Sequence, residues 1–202
     1  MLAEEQPPPP AACEFESHEH ISSYSNFLTT TRKLRQFTDS VVEPLPGARI
    51  VYIAGCWDMY HAGHVSMLEK AREFGDYVIV GIYNDHLVHN LCNEKDSTAG
   101  SYPILNMSER ALSVSGCRHS DDVLIDAPYV ITHDMLNGMA IDVVLVNKEK
   151  DKTLEEMEGL PYLAVPKQSG KLKVIDFRKH DNLSGAMVSE RILAQNDRFM
   201  KK

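Results

Sequence analysis

Long apolar runs, paired cysteines and surplus positive charge are all scarce in this 202-residue chain. No stretch approaches the ~20 apolar residues that a membrane-spanning helix needs, and the opening residues lack a signal-peptide pattern. The four cysteines, Cys13, Cys56, Cys92 and Cys117, show no C-x-x-C spacing. They read as reduced thiols of a cytoplasmic protein. A formal net charge of −8 argues against nucleic acid as the main partner, so a phosphorylated substrate would need a local site of its own. G-x-x-x-x-G-K and G-x-G-x-x-G are both absent, which removes the P-loop and dinucleotide-binding readings.

What is present is alternation. With 43% hydrophobic residues the chain can bury one good core. Residues 1–25, with Pro7 to Pro10, read as a Pro-rich linker. Residues 26–48 read as a helix and lead-in: Phe27, Leu34 and Phe37 share one side, Arg32, Lys33 and Arg35 lie between, and Pro44 and Pro46 end the segment. The domain proper spans 49–198. Strands are expected at 50–55, 77–82, 122–125, 142–146 and near 173–176. Helices are expected at 62–74, 84–91, 107–117, 132–138 (capped by Thr132), near 153–158 and from about 183, with a polar loop over 93–101. Strands alternating with helices imply an α/β fold, a parallel sheet with helices on both faces.

The strongest signal follows the first strand: Gly55-Cys56-Trp57-Asp58-Met59-Tyr60-His61-Ala62-Gly63-His64. A strand runs into a tight turn, and two histidines flank a glycine where a helix starts. Helix N-termini present unpaired N–H groups and partial positive charge to phosphates. Imidazoles placed there add hydrogen bonds, and Gly63 removes a side chain that would hold a nucleotide off the backbone. H-x-G-H arises by chance in roughly 2% of chains of this composition. Trp57 fits either a nucleotide pocket or the edge of the core. His86 and His89, with no third ligand nearby at zinc spacing, read as solvent-facing.

These residues, with Tyr102-Pro103-Ile104, Asn106 to Arg110, Cys117-Arg118 and Ala127 to Val130, resemble the cytidylyltransferases, within the wider group of H-x-G-H nucleotidyltransferases. The likeness is greatest to the second, C-terminal cytidylyltransferase-type domain of the eukaryotic ethanolamine-phosphate cytidylyltransferases. It covers about residues 27–196 and implies a Rossmann-like nucleotidyltransferase fold. It also implies cytidylyl transfer from CTP to phosphoethanolamine in phospholipid synthesis, with Mg²⁺ accompanying the phosphates. By the same resemblance, a first cytidylyltransferase domain would be the partner of this one, and the protein would be cytoplasmic or peripheral to the endoplasmic reticulum. His61 and His64 would be the catalytic phosphate contacts. Gly55, Asp58, Gly63, Arg110 and Ser184 would be nucleotide-binding, with Asp58 either organising its loop or approaching the metal.

Three stretches depart from the family pattern. Asn93-Glu94-Lys95-Asp96-Ser97 stands where a Lys-Gly pair is usual, leaving Lys95 a weak candidate. Asn147-Lys148 replaces a His-Gly pair at the end of the fourth strand. The late motif R-T-x-G-[IV]-S-T-[ST] is reduced to Arg178 to Gly185, where Arg178 and Ser184 are what remain and Asp181 adds negative charge. Two alternatives therefore stay open: a degenerate, non-catalytic partner domain of a two-domain enzyme, and a related small-molecule nucleotidyltransferase.

Overall fold

A computed structural model describes residues 44–95, 103–148, 152–177 and 183–195. The expectations for residues 1–25, for most of 26–48, for the tip of the 93–101 loop and for Arg178 lie outside the described residues.

β1 (Ile50–Gly55) and β2 (Tyr77–Ile82) are nearly unbroken apolar runs, the composition of parallel strands covered on both sides. With β3 (Asp122–Ile125), β4 (Val143–Asn147) and β5 (Leu172–Ile175) they form one all-parallel sheet in the order β3-β2-β1-β4-β5. Alternate residues supply opposite layers. Val51, Ile53, Val78, Val80 and Leu145 pack with Leu68 and Ala71 of α1 (Ala62–Ala71) and with Ala111 and Val114 of α3 (Met107–Ser115). On the other face Tyr52, Ile79, Leu124 and Val144 meet Met135 and Leu136 of α4 (His133–Gly138). Each Val, Leu, Ile or Met side chain among them contributes about 1.5–3 kcal/mol by leaving water.

The strand starts are fastened by carboxylates. Asp76 accepts from Arg49 N (2.9 Å), Asp142 from Ile50 N (2.8 Å) and Asp121 from Val78 N (2.7 Å). Arg72 ties two of these together, pairing with Asp121 at 2.7 Å and donating to Asp76 O at 2.8 Å.

Departures from the sequence expectation have local causes. α2 runs Asp85–Lys95, past the expected end at 91: Asn84 Oδ1 caps its start at Leu87 N, and Asn93–Lys95 continue the helix instead of opening a loop. β4 opens at Val143 because Asp142 spends its carboxylate on β1. α3 stops at Ser115, before the Gly116 cap. α5 (Leu154–Glu158) lies where a short helix was expected, and Thr153 caps it. A 3₁₀ turn at Pro161–Leu163 and α6 (Ala164–Gln168) were missed, being too short to show a period. α7 (Gly185–Ala194) starts just after its cap, Ser184. β1 is central, with β2 on one side and β4 on the other, so the strand order reverses beside the carboxyl end of β1, where α/β sheets receive ligands.

Candidate nucleotide-binding site

The turn between β1 and α1 is strained. Trp57 (φ +59°) and Met59 (φ +46°) both take left-handed backbone, which costs a non-glycine residue roughly 1–2 kcal/mol. Contacts hold it in place. Trp57 is 4% exposed and donates its indole N–H to Gly81 O at 3.0 Å, so the core-edge reading of this residue is the one realised. Gly55 is small for the same reason: a Cβ there would sit 3.3 Å from the Trp57 ring nitrogen.

At the helix start the two histidines form a capping box. His61 Nδ1 accepts from Gly63 N (3.1 Å) and His64 Nδ1 accepts from His61 N (3.4 Å). A nitrogen that accepts carries no proton, so each neutral ring bears its hydrogen on Nε2. The rings stack at 3.9 Å between centroids, 18° from parallel, and His64 is further sandwiched by Tyr60 and Trp57. Burial first, then the neighbouring His61, lowers the His64 pKa to about 4, with Asp58 pulling the other way. His64 is therefore a neutral imidazole with its proton on Nε2, stacked on His61 at the N-terminus of a ten-residue helix. A second helix N-terminus abuts the same turn: a Cβ on Gly185 would lie 3.7 Å from Met59 Cβ and 3.8 Å from Asp58 O.

Of the residues expected from sequence, Gly55, Asp58, His61, Gly63 and His64 share this turn, and Ser184 comes up beside it. The geometry redistributes several roles. Asp58 organises the loop and is not poised for a metal: its two oxygens accept from Met59 N (2.9 Å), Ile104 N (2.8 Å) and Leu105 N (2.9 Å). Arg110 is 0% exposed and turns its guanidinium inward, to Leu105 O (3.0 Å), Cys56 O, Tyr83 O (2.7 Å) and the Asp85 carboxylate (2.6 Å). A guanidinium so enclosed does not reach a phosphate, which corrects the nucleotide-contact expectation for Arg110. Ser184 Oγ accepts from Met187 N at 3.3 Å and so serves as a helix cap. Lys95 is the last residue of α2, not a loop residue; its side chain and the whole of Arg178 lie outside what is described. Asn147 pairs its amide with the backbone of Phe177 (Phe177 N to Oδ1, 3.0 Å), extending the ladder between β4 and β5. Lys148 donates to Lys152 O (3.0 Å) and faces Asp176 (3.6 Å).

Sequence reasoning missed Asp85 and a row of tyrosines. Tyr83, directly after β2, meets Tyr129 edge-on at 6.0 Å, and Tyr129 lies 4.3 Å from Tyr162. Tyr83 also donates its N–H to Gly55 O, so the row adjoins the histidine turn. Burial pushes its phenol pKa well up, keeping it neutral. Beside it Asp126, at φ +56°, accepts from Asn84 Nδ2 at 2.7 Å. The available signal was position: Tyr83 and Tyr129 follow the carboxyl ends of β2 and β3. Among the described residues no group of three or more His, Cys, Asp or Glu side chains could hold a metal ion, and no helix is long and apolar enough to cross a membrane.

A sequence profile described as cytidylyltransferase-like matches residues 52–188, more than half of the chain. The chain belongs to that family. Ethanolamine-phosphate cytidylyltransferase of Dictyostelium discoideum is 36% identical over 173 residues, covering 85% of this chain and 45% of that protein. Its namesake from Arabidopsis thaliana is 37% identical over 181 residues, 88% and 40% of the respective chains. A probable choline-phosphate cytidylyltransferase of Schizosaccharomyces pombe is 30% identical over 169 residues, 82% of this chain and 43% of that one. The chain thus spans less than half the length of these relatives. Among solved structures, a lipopolysaccharide core biosynthesis protein from Thermoplasma volcanium superposes with a TM-score of 0.51 over 66% of this chain and 99% of that chain. At 18% identity this likeness concerns the fold alone: the Rossmann-like α/β arrangement expected of a cytidylyltransferase-like chain.

Proposed function

We propose that the protein carrying this chain transfers the cytidylyl group of CTP to phosphoethanolamine, giving CDP-ethanolamine and pyrophosphate, and that this chain is the second, C-terminal domain of a two-domain enzyme, working beside a first cytidylyltransferase domain. The observation that carries the reading is the stacked His61–His64 pair at the start of α1, its Nδ1 atoms committed to the helix cap. The names of the ethanolamine-phosphate relatives support the substrate pair.

In this reaction a phosphate oxygen of phosphoethanolamine attacks the α-phosphorus of CTP in line, and the bond to the bridging oxygen of pyrophosphate breaks. The protein's task is to hold the groups in line and to stabilise charge as it grows on the departing oxygens. His61 and His64 donate to those oxygens, His64 as a neutral ring, and the N-termini of α1 and α7 add favourable dipoles. The tyrosine row supplies aromatic faces of the kind that attract an ammonium head group, with Asp126 as its negative neighbour. Mg²⁺ would accompany the phosphates of CTP and neutralise their charge; the described residues gather no ligand set of their own for it, Asp58 being committed to three backbone N–H groups.

A second reading, a supporting domain that has lost turnover, is favoured by Asn147 and Lys148, which bond to protein groups at the end of β4. Isothermal titration separates the two. The native chain is expected to bind CTP or CDP-ethanolamine, and the His61→Ala/His64→Ala variant to bind at least about tenfold more weakly. Binding of neither ligand by the native chain leaves only the supporting role. A panel of other nucleotides tests the remaining alternative, a different small-molecule nucleotidyltransferase.

A further inference from the structure

Neither left-handed residue of the β1–α1 turn is held by the turn alone. The segment Pro103–Leu105 crosses its mouth and is gripped from two directions. From the turn, Asp58 takes the Ile104 and Leu105 N–H groups on its two oxygens, at 2.8 and 2.9 Å, and the Met59 N–H at 2.9 Å. From α3, Arg110 Nε donates to Leu105 O at 3.0 Å, while its other nitrogens reach Cys56 O in the turn, Tyr83 O at the end of β2 and Asp85 at the start of α2. The carboxylate therefore reads the donors of the segment and the guanidinium reads its acceptor. Both are anchored on the two sides of Trp57, one through the Asp58 backbone itself and the other through Cys56.

We infer that Asp58 and Arg110 are positioning residues that clamp Pro103–Leu105 across the β1 turn and thereby fix the ring geometry of His61 and His64. Neither touches a reacting group. Their part is to keep Trp57 and Met59 in left-handed backbone, so that the chain enters α1 with His61 at the cap and both Nδ1 atoms turned inward. Arg110 is 0% exposed, and a lysine there offers a point charge in place of a planar fork, so it cannot serve Leu105, Cys56, Tyr83 and Asp85 together. Asp58→Asn keeps the shape but turns one acceptor oxygen into a donor, facing N–H groups that also donate. The functional consequence rests on the cytidylyl-transfer reading; the clamp itself does not.

The test uses the full chain with Asp58→Asn, Arg110→Lys and, as a surface control, Arg118→Met. Amide hydrogen exchange at residues 104–105 and 61–64 is measured with the ring ¹⁵N signals of His61 and His64, alongside CTP titration. Both clamp variants are expected to exchange about tenfold faster at these amides, with β4 amides unchanged, and to lose the single Nε2–H signature of the histidine rings. CTP affinity falls with them, and the control changes nothing. Unchanged exchange and ring signals at His61 and His64 in Asp58→Asn would overturn the clamp, even if Arg110→Lys fails to fold. Should the native chain bind no CTP, the transferase reading fails, while exchange and ring signals still judge the clamp.

Discussion

His64 gives up much of its proton affinity on folding, mainly to burial. Its pKa falls from 6.5 to about 4, so the unfolded chain binds the extra proton throughout that interval. The contribution is present in full above pH 6.5 and is lost as pH drops toward 4, by at most about 3 kcal/mol. Thermal unfolding followed from pH 7.5 to 4.5 should show a steep fall in Tm, flattened by His64→Gln. Nucleotide binding through the neutral His64 ring should in turn be level between pH 7 and 8. Tyr52 offers a second test at this scale. Its hydroxyl is buried with no hydrogen-bond partner among the described residues, and a Cβ on Gly81 would come within 2.4 Å of it. Tyr52→Phe should therefore raise stability by about 1 kcal/mol, whereas Gly81→Ala should lower it by about 1–3 kcal/mol, both read from urea melts. The loss should shrink when Gly81→Ala is made in the Tyr52→Phe background, because the hydroxyl is part of the clash.

At the scale of elements, the helix caps carry the argument. Ser184 Oγ is the side-chain cap of α7, and Ser184→Ala should cost about 1 kcal/mol, seen as faster amide exchange in the first turn of that helix. Elements of this kind were readable in advance where pattern and cap agreed. Thr132 and Thr153 mark helix starts, and the apolar runs of β1 and β2 mark strands, because local chemistry alone decides them. The histidine turn was readable for the same reason. What escaped was set by long-range contact. Nothing local tells that Arg110 turns inward to Cys56, 54 residues earlier in the chain, or that Asn147 is spent on Phe177. The 3₁₀ turn at Pro161–Leu163 and α6 are too short to impose a period. The tyrosine row escaped because its members lie far apart in sequence and meet only once the sheet is built.

For the whole molecule, the sheet has two unlike ends. The histidine turn, the tyrosine row and the start of α7 gather beyond the carboxyl ends of the strands, while Asp76, Asp121 and Asp142 fasten the opposite ends. Removing one of these fasteners, as in Asp142→Ala, leaves the Ile50 N–H without its acceptor and should cost about 1–3 kcal/mol in equilibrium unfolding. Nucleotide binding by the folded variant should be unaltered, since the change lies at the far pole. The chain matches 40–45% of the length of its Dictyostelium and Arabidopsis relatives.

Those three aspartates have an evolutionary corollary. A scaffold riveted at its amino-terminal rim holds its strand starts without help from the upper loops, so many exposed substitutions in those loops can accumulate without freeing the strands. A domain built this way can lose chemistry one loop at a time and still endure as a sound building block.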